Sequence, residues 1–184
     1  IPAFNEAATV DQVVRQIAEH LPGADILVVD DGSTDNTAAQ VPPPARVVRL
    51  PFNLGIGGAM QTGYRFANVH GYDIAIQVDA DGQHPPHHLQ QLVDKLHETG
   101  ADLVIGSRFL EPGDYRQTPT RMAGIIILRT VIKLLTGKRI TDCTSGFRAV
   151  NRRVIERFAS FYPDDYPEPE VVMLLLRAGL RVEE

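Results

Sequence analysis

A chain of 184 residues with 43% hydrophobic and 22% charged residues can bury one sizeable core, which favours a single compact domain over a disordered chain. The formal net charge of -5 argues against nonspecific nucleic-acid binding, although local positive groups or a metal could still bind a small anion. The single cysteine, Cys143, excludes an internal disulfide and is typical of a small buried apolar residue rather than a nucleophile.

Helices and strands alternate along the first 109 residues. The predicted strands are a first one that ends near Ile1-Pro2, then residues 25–30, 46–50, 73–79 and 102–106. The predicted helices are residues 9–21, 57–71 and 87–100. This alternation predicts an α/β fold with a mostly parallel central sheet and helices on both faces.

The pattern changes after the fifth predicted strand. Residues 110–121 mix glycine, proline and charge over a length typical of a functional loop. Residues 123–137 are apolar except where Arg129 and Lys133 interrupt them, which predicts a helix that either packs in the core or lies against a membrane surface. Because the chain starts at a strand end and stops at another strand entry, residues 180–184, we expect a fragment clipped at both ends.

The carboxyl ends of parallel strands meet at one edge of a sheet, where ligands of open α/β folds bind. The segments that follow the predicted strands are residues 2–6, 30–33, 53–58, 79–83 and 106–108. Acidic, glycine-rich and basic residues are therefore expected to share this edge.

Two aspartates, Asp79 and Asp81, follow the central predicted strand with one residue between them. In a turn through Gly82, both carboxylates can approach one divalent cation and leave positions for phosphate oxygens, and Gln83 can add an amide oxygen. The alternative is that they only cap the turn and the next helix. Asp31, at another strand end, either accepts a hydrogen bond from a base or ribose or forms an ordinary Asp-Gly turn.

Other nucleotide and metal motifs fit less well. The glycines of residues 55–58 do not complete a dinucleotide-binding pattern, and the sequence lacks the Gly-Lys-Ser/Thr of a phosphate-binding loop. His84, His87 and His88 have no cysteine or clear acidic partner nearby, so solvent-facing histidines are favoured over a zinc site. A phosphatase of the haloacid dehalogenase type, with an aspartate nucleophile, would need Thr or Ser in place of Gln83.

Six segments resemble, in order and approximate spacing, motifs of the inverting family 2 glycosyltransferases, particularly the branch of dolichol-phosphate mannose synthase and bacterial polyprenyl-phosphate glycosyltransferases. These segments are IPAFNEA, VVDDGSTDNT, NLGIGGAMQTGY, VDADGQHPP, GSRF and DCTSGFRA. The resemblance covers nearly the whole chain and implies one nucleotide-diphospho-sugar transferase domain of the GT-A type over residues 1–184. It also implies a Mg²⁺ or Mn²⁺ cofactor at the Asp-x-Asp motif and transfer of a hexose from a UDP- or GDP-sugar with inversion.

The same resemblance implies roles for individual residues. Nucleotide-sugar-binding positions of relatives match Pro2, Phe4, Glu6, Val29, Asp31, Gly58, Asp79 and Ala80. Implied metal ligands are Asp79, Asp81 and Gln83. Implied catalytic residues are Asp81, Arg108, Arg121 and Glu168. The implied acceptor pocket comprises Ser145, Gly146 and Arg148, in a stretch that is otherwise ordinary turn chemistry.

Two classes of acceptor remain open. A polyprenyl or dolichyl phosphate is already ionised at neutral pH and needs basic residues, such as Arg108 and Arg121, rather than a strong general base. The apolar residues 123–135 favour this lipid phosphate. A saccharide hydroxyl would instead need a carboxylate base, for which Glu168 and Glu170 are the candidates.

The resemblance further implies that the two parts of the chain bind different substrates. Residues 1–109 would bind the nucleotide sugar and residues 110–184 would form the acceptor side. A lipid-phosphate acceptor implies a cytoplasmic protein that lies peripherally at the inner face of the membrane, with no nucleic-acid partner. A noncatalytic nucleotide-sugar-binding module remains the other alternative.

Overall fold

The computed structural model describes residues 1–109, 119–164 and 167–184, without the side chains of residues 119–121. The strands are β1 (Pro2–Ala3), β2 (Leu27–Asp30), β3 (Arg46–Arg49), β4 (Ile74–Gln77), β5 (Leu103–Ile105), β6 (Arg148–Asn151) and β7 (Val182–Glu183). The α-helices are α1 (Val10–His20), α2 (Gly55–Val69), α3 (Leu89–Thr99), α4 (Pro119–Thr136), α5 (Arg152–Ser160) and α6 (Pro167–Arg177). Every helix and strand predicted in the first 109 residues is present, with bounds shifted by a few residues.

The strands form two sheets. In the first sheet β1, β2 and β3 are parallel neighbours in that order. In the second sheet the order is β4-β6-β5-β7, with β6 antiparallel to β4 and β5, and β7 parallel to β5. The α/β class is confirmed, and β6 is an antiparallel strand that the sequence did not predict. Because β6 inserts between β4 and β5, residues 110–184 complete the sheet that residues 1–109 begin.

Helices cover both faces of the second sheet, as predicted. On β5, Leu103 and Ile105 join one core cluster with side chains of α2, α5 and α6, whereas Val104 joins the other with side chains of α1 and α3. This alternation follows from the two-residue period of a strand. Burying each such aliphatic side chain contributes about 1.5–3 kcal/mol, so the two clusters fix the positions of the strand ends.

One apolar face of α1 and one of α3 are buried. In α1 the buried residues are Val10, Val13, Val14 and Ile17, and in α3 they are Leu89, Leu92 and Leu96. Gly100 ends α3 in the left-handed conformation at φ 62°, where a residue without a Cβ is favoured.

A cavity of about 430 Å³ lies between the first sheet and β4. Its lining is largely apolar and includes Val29, Met60, Tyr64, Ile74 and Ile76. A nucleoside diphosphate needs hydrogen-bond donors and positive charge, so the candidate site has to be sought instead at the carboxyl ends of the strands.

Candidate active site

The loops after β1 and β2 are joined by hydrogen bonds between side chains and backbone. The Asn5 backbone N–H donates to Ser33 Oγ at 2.9 Å, and Asn5 Oδ1 accepts from the Thr34 N–H at 2.9 Å. The Glu6 N–H donates to Thr37 Oγ1 at 2.8 Å, and the Glu6 carboxylate accepts from Thr9 Oγ1 at 2.8 Å. Like Glu6, three further predicted nucleotide-binding residues lie on this edge: Pro2 and Val29 are buried and paired across β1 and β2, while Phe4 is 45% exposed. The ring of Phe4 is therefore available to a ligand.

Asp30, the last residue of β2, and Asp31, which follows it, are buried and already accept hydrogen bonds. Asp31 Oδ1 accepts from the Leu54 N–H at 2.7 Å, which fixes the start of α2. Asp30 Oδ1 accepts from the Ser33 N–H at 2.9 Å, and its Oδ2 lies 3.3 Å from Arg49 Nε. A base or ribose would thus have to use the remaining acceptor capacity of Asp31.

Two glycines near the site allow backbone segments to pack closely against each other, because a side chain at either position would clash with a neighbouring backbone. Gly32 has φ +68°, and a Cβ there would lie 2.6 Å from the Phe52 carbonyl carbon. In α2, a Cβ on Gly57 would lie 2.2 Å from the Pro163 carbonyl oxygen, whereas one on the predicted Gly58 would meet only the Leu54 side chain at 2.5 Å. Gly57, which sequence reasoning did not single out, is therefore the position where α2 touches the segment before α6.

Asp79 and Asp81 form the predicted turn after β4. The side chain of Asp79 is 35% exposed, Asp81 and Gln83 are exposed, and Ala80 between the aspartates is buried. Asp81 Oδ1 accepts from the Gln83 N–H at 2.9 Å, and Asp79 Oδ1 accepts from Gln77 Nε2 at 3.2 Å. The two carboxylates are presented at the surface by a turn that their own hydrogen bonds stabilise.

His84 holds Asp79 from the other side, contrary to the expectation that it faces solvent. Its side chain is 13% exposed, its Nδ1 accepts from the Asp79 N–H at 3.1 Å, and its Nε2 lies 3.5 Å from Asp79 Oδ2. The ring also packs 5.2 Å from the ring of Phe147. Burial lowers the pKa of His84, and Arg108 and Arg148 lower it further, against the opposing effect of Asp79 and Asp81. Because Nδ1 accepts a hydrogen bond, His84 is the neutral Nε2–H tautomer in this arrangement.

The segment before β6 closes over the same carboxylate. A Cβ added to Gly146 would lie 2.8 Å from Asp79 Oδ2 and 3.0 Å from Gln77 Nε2. Gly146, a residue of the predicted acceptor pocket, thus lies against the predicted metal ligand Asp79. This contact brings the two halves of the predicted site together.

A bidentate ion pair lies beside these residues at the end of β5. Arg108 Nε donates to Asp142 Oδ2 at 2.7 Å and Nη2 donates to Asp142 Oδ1 at 2.9 Å, while Nη2 also donates to Thr144 Oγ1 at 2.9 Å. Burial acts to raise the pKa of Asp142, but its hydrogen bonds and charge attraction with Arg108 bring the pKa below its ordinary value. The Glu184 carboxylate accepts from the N–H groups of Thr141 and Asp142 at 2.6 and 2.7 Å and so fixes this segment. Asp142 belongs to the segment DCTSGFRA, but the family resemblance implied no role for it.

Ser145 and Arg148 are buried and bind the protein's own backbone. Ser145 Oγ donates to the Gly106 carbonyl at 2.8 Å, and Arg148 Nε donates to the Ser145 carbonyl at 2.6 Å. Arg148 Nη1 and Gln77 Oε1 are buried without a hydrogen-bond partner among the described residues. With 1% exposure, Arg148 shapes the loop around Gly146 and its charge acts from beneath the site. Cys143 is fully buried, as expected, and burial raises the pKa of its thiol.

The remaining predicted residues come from α4 and α6. The Arg121 side chain lies outside the described residues. Arg129, one α4 residue that sequence reasoning did not assign to the site, stacks its guanidinium 4.5 Å from the centre of the Phe109 ring. Its Nε and Nη2 are buried and find no hydrogen-bond partner in the described ranges. Glu168 is half-buried in the first turn of α6 and Glu170 is exposed.

The oxygen atoms of the turn after β4 are suitable ligands for a hard divalent cation that also binds a substrate. Two carboxylates one residue apart supply oxygen ligands, and Mg²⁺ typically binds one or two carboxylates together with substrate phosphates. Within the described residues, no group of three or more His, Cys, Asp or Glu side chains could hold a metal by itself.

The sequence profile described as Glycosyl transferase family 2 matches residues 1–158. Polyprenol monophosphomannose synthase of Mycolicibacterium smegmatis is 35% identical over 165 residues, which cover 85% of this chain and 62% of that protein. Undecaprenyl-phosphate mannosyltransferase of Micrococcus luteus is 34% identical over 156 residues, which cover 81% of this chain and 63% of that protein. The chain spans less than two thirds of the length of either relative.

A solved structure shows the same fold. Glucosyl-3-phosphoglycerate synthase from Mycobacterium tuberculosis, in complex with Mn²⁺, UDP-glucose and phosphoglyceric acid, matches with a TM-score of 0.70 and 24% identity. The match covers 99% of this chain and 67% of that chain. The predicted α/β domain of the GT-A type is thereby confirmed.

Proposed function

Because this chain belongs to glycosyl transferase family 2, we propose that it moves a hexose with inversion from a GDP- or UDP-sugar to a polyprenyl or dolichyl phosphate. The observation that carries the proposal is the contact of Gly146 with Asp79, which joins the acidic turn after β4 to the segment that holds Arg108. The carboxylates would bind the metal ion of an anionic sugar donor. The arginines would bind the phosphate of an anionic acceptor. The names of the two mannosyltransferase relatives support the lipid phosphate.

The donor half of the site would bind the nucleotide sugar along the edge of β1, β2 and β4. The nucleoside would lie near Pro2, Phe4, Glu6, Val29, Asp31, Gly58 and Ala80. Phe4 supports this assignment, because a half-exposed ring at a strand end offers a surface on which a base can stack. Asp79, Asp81 and Gln83 would hold Mg²⁺ or Mn²⁺ beside the diphosphate, and His84 would orient Asp79.

Charge explains how this arrangement would promote transfer. Cleavage at the anomeric carbon leaves additional negative charge on the departing nucleoside diphosphate. A bound Mg²⁺ or Mn²⁺ would stabilise that charge at Asp79 and Asp81. Arg108, held in one orientation by the buried Asp142, would direct N–H donors toward a phosphate, and preorganised donors need no reorganisation during the reaction.

The acceptor half would hold an ionised phosphate on the opposite side of the sugar. Arg129 is a stronger candidate for this contact than sequence reasoning recognised, since two of its buried nitrogen atoms have no hydrogen-bond partner among the described residues. Arg121 belongs to the first turn of the same helix and would contribute a further positive charge. Gly146 would leave room for the sugar, while Ser145 and Arg148 would maintain the loop that surrounds it.

A saccharide hydroxyl is the second candidate acceptor. Of the two possible general bases, Glu168 is better placed than Glu170. Glu168 is half-buried in the first turn of α6, whereas Glu170 is exposed, and Glu168 could accept a hydroxyl proton. The family match disfavours the phosphatase alternative.

The assignment of residues 1–109 to the donor and residues 110–184 to the acceptor is a proposal about function, since β6 joins both parts in one sheet. A lipid phosphate would be met by a cytoplasmic protein at the inner surface of the membrane. The catalytic proposal is tested by thermal unfolding with GDP-mannose or UDP-glucose, each with and without Mn²⁺, followed by transfer to a polyprenyl phosphate. A Mn²⁺-dependent increase in melting temperature with one nucleotide family supports the proposal. Absence of any increase, together with absence of transfer, would refute it.

A further inference from the structure

Most of the circumference of α4 is both exposed and apolar. Among the described side chains of the helix, Ile125 and Ile132 are about 2% exposed, whereas Leu134, Leu135 and Ile127 are 79%, 64% and 63% exposed. We define the α4 outer face as the exposed large apolar residues Ile126, Ile127, Leu128, Val131, Leu134 and Leu135. The solvent-exposed face of a surface helix is normally polar, whereas the α4 outer face is apolar.

A narrow inner stripe attaches α4 to the protein. Ile125, Arg129 and Ile132 follow one another at helical spacing, and the Arg129 guanidinium stacks over Phe109. Phe109 is the chain neighbour of Arg108, so the inner stripe lies beside the proposed acceptor site. An exposed contiguous apolar surface of this kind marks a place of interaction rather than a solvated face.

The charge of the segment indicates which surface it meets. Residues 119–141 contain five basic residues and no acidic residue, whereas the whole chain has a formal net charge of -5. Lys133, Lys138 and Arg139 are exposed on and just after α4. Apolar side chains combined with basic groups are typical of helices that lie in the interface of an anionic membrane.

A second copy of the chain fits this surface less well. In a two-fold dimer the same patch faces itself, which would bring the basic residues of both copies together. Every helix in the described ranges is too short or too polar to cross a bilayer. The observations therefore favour a helix that lies on a membrane.

We propose that the α4 outer face docks on an anionic membrane surface with the Arg108–Asp142 pair beside the lipid headgroups. This inference rests on the proposed function, because docking on a membrane would bring the lipid-phosphate acceptor to the site. A lipid phosphate could then enter the site while its hydrocarbon chain remains along α4.

The test is flotation of the protein with vesicles of phosphatidylethanolamine and phosphatidylglycerol, compared with vesicles of phosphatidylcholine alone. The double variant Leu134→Gln/Leu135→Gln should lower the partition coefficient on the order of tenfold or more, because two apolar side chains no longer enter the interface. Val69→Gln is the matched control, since Val69 is 80% exposed at the end of α2, and it should bind as the wild type does. Lys138→Gln/Arg139→Gln should weaken binding to the anionic vesicles and leave the weak binding to phosphatidylcholine unchanged.

The inference is overturned if the wild type does not float with anionic vesicles, or if the leucine variant floats equally well. It is also overturned if the wild type is a dimer in solution that the leucine variant dissociates, because the face then meets a second copy. Melting temperatures of all variants verify that they are folded. Mn²⁺-dependent donor binding is measured in parallel. Vesicle binding without donor binding would refute the proposed function alone, and lipid transfer in detergent without vesicle binding would refute the membrane face alone.

Discussion

A single methyl group at Gly146 tests the geometry that joins the two halves of the site. In Gly146→Ala, the added Cβ would lie 2.8 Å from Asp79 Oδ2, a contact that folded proteins essentially never show. Restoring an ordinary contact of at least 3.4 Å moves the carboxylate by about 0.6 Å. A displacement near 1 Å of a group that positions a substrate can cost about a hundredfold in rate. We therefore expect kcat/KM for sugar transfer and the Mn²⁺-dependent affinity for the donor to fall on the order of ten- to a hundredfold.

The same substitution should leave the fold nearly unchanged. The shortest contact is with the end of a side chain that is 35% exposed, so Asp79 can turn toward solvent, whereas the buried Gln77, whose Nε2 would lie 3.0 Å from the new Cβ, must also shift slightly. Overpacking in a closed core costs about 1–3 kcal/mol, and we expect a loss near the lower end of this range, because the shortest contact is relieved at the surface. Replacing glycine with alanine also reduces the entropy of the unfolded chain, which offsets about 0.4–1 kcal/mol where the backbone conformation permits it.

Gly63→Ala is the matched control for Gly146→Ala. A Cβ at Gly63 meets only Val29 Cγ2, at an ordinary distance of 3.9 Å. Titration calorimetry with a nucleotide sugar and Mn²⁺, together with thermal unfolding, should separate the two variants by donor affinity rather than by stability. Equal Mn²⁺-dependent affinity in Gly146→Ala and the wild type would show that Gly146 does not control the position of Asp79.

Three further substitutions test individual contacts. Asp81→Ala should abolish Mn²⁺-dependent donor binding in calorimetry, and undiminished binding would refute the metal site. Asp142→Asn should destabilise the protein by about 1–3 kcal/mol at pH 7, because the partly exposed Arg108 loses its charged partner. The folded-state pKa of Asp142 is lowered, so its contribution is present above the unfolded-state pKa and disappears as the pH falls through the folded-state value. The difference between the denaturation curves of the two proteins should therefore shrink as the pH falls below about 4 and vanish below the folded-state pKa. A pH-independent difference would refute this reasoning. Arg129→Gln should raise the KM for a polyprenyl phosphate about tenfold or more while donor affinity stays within twofold; an equal loss for both substrates would remove its proposed role.

Local patterns predicted the first half of the fold because its elements are specified by neighbouring residues. The stripe from Val10 to Ile17 and the β-branched residues before Asp30 announce a helix and a strand without tertiary information. Strand β6 escaped prediction because only four residues form it, two of which are arginine and asparagine. Its place between β4 and β5 depends on long-range pairing that the period of the sequence does not encode.

The same distinction applies to the site. The Asp79 and Asp81 turn could be predicted because the spacing and Gly82 are local features. The role of Asp142 could not, because it depends on an ion pair with Arg108 across 34 positions. His84 was expected at the surface because histidines at a helix start usually are, and its contact with Phe147 exists only once β6 has formed. The family resemblance located the motif around Asp142 but did not distinguish a ligand-binding side chain from one that supports Arg108.

The pairing of Arg108 limits what this residue can do for an acceptor phosphate. Its bidentate contact with a fully buried carboxylate fixes the direction of the guanidinium, but the two formal charges cancel. Attraction of an anionic headgroup therefore needs another cation nearby, because two unit charges separated by several ångströms in a partly buried site interact by a few kcal/mol. Under the proposed function Arg129 would meet this need, since its Nε and Nη2 are buried without a hydrogen-bond partner among the described residues. The two arginines would then have different roles, with Arg108 oriented for directional hydrogen bonds and Arg129 supplying net positive charge on the helix proposed to meet the membrane.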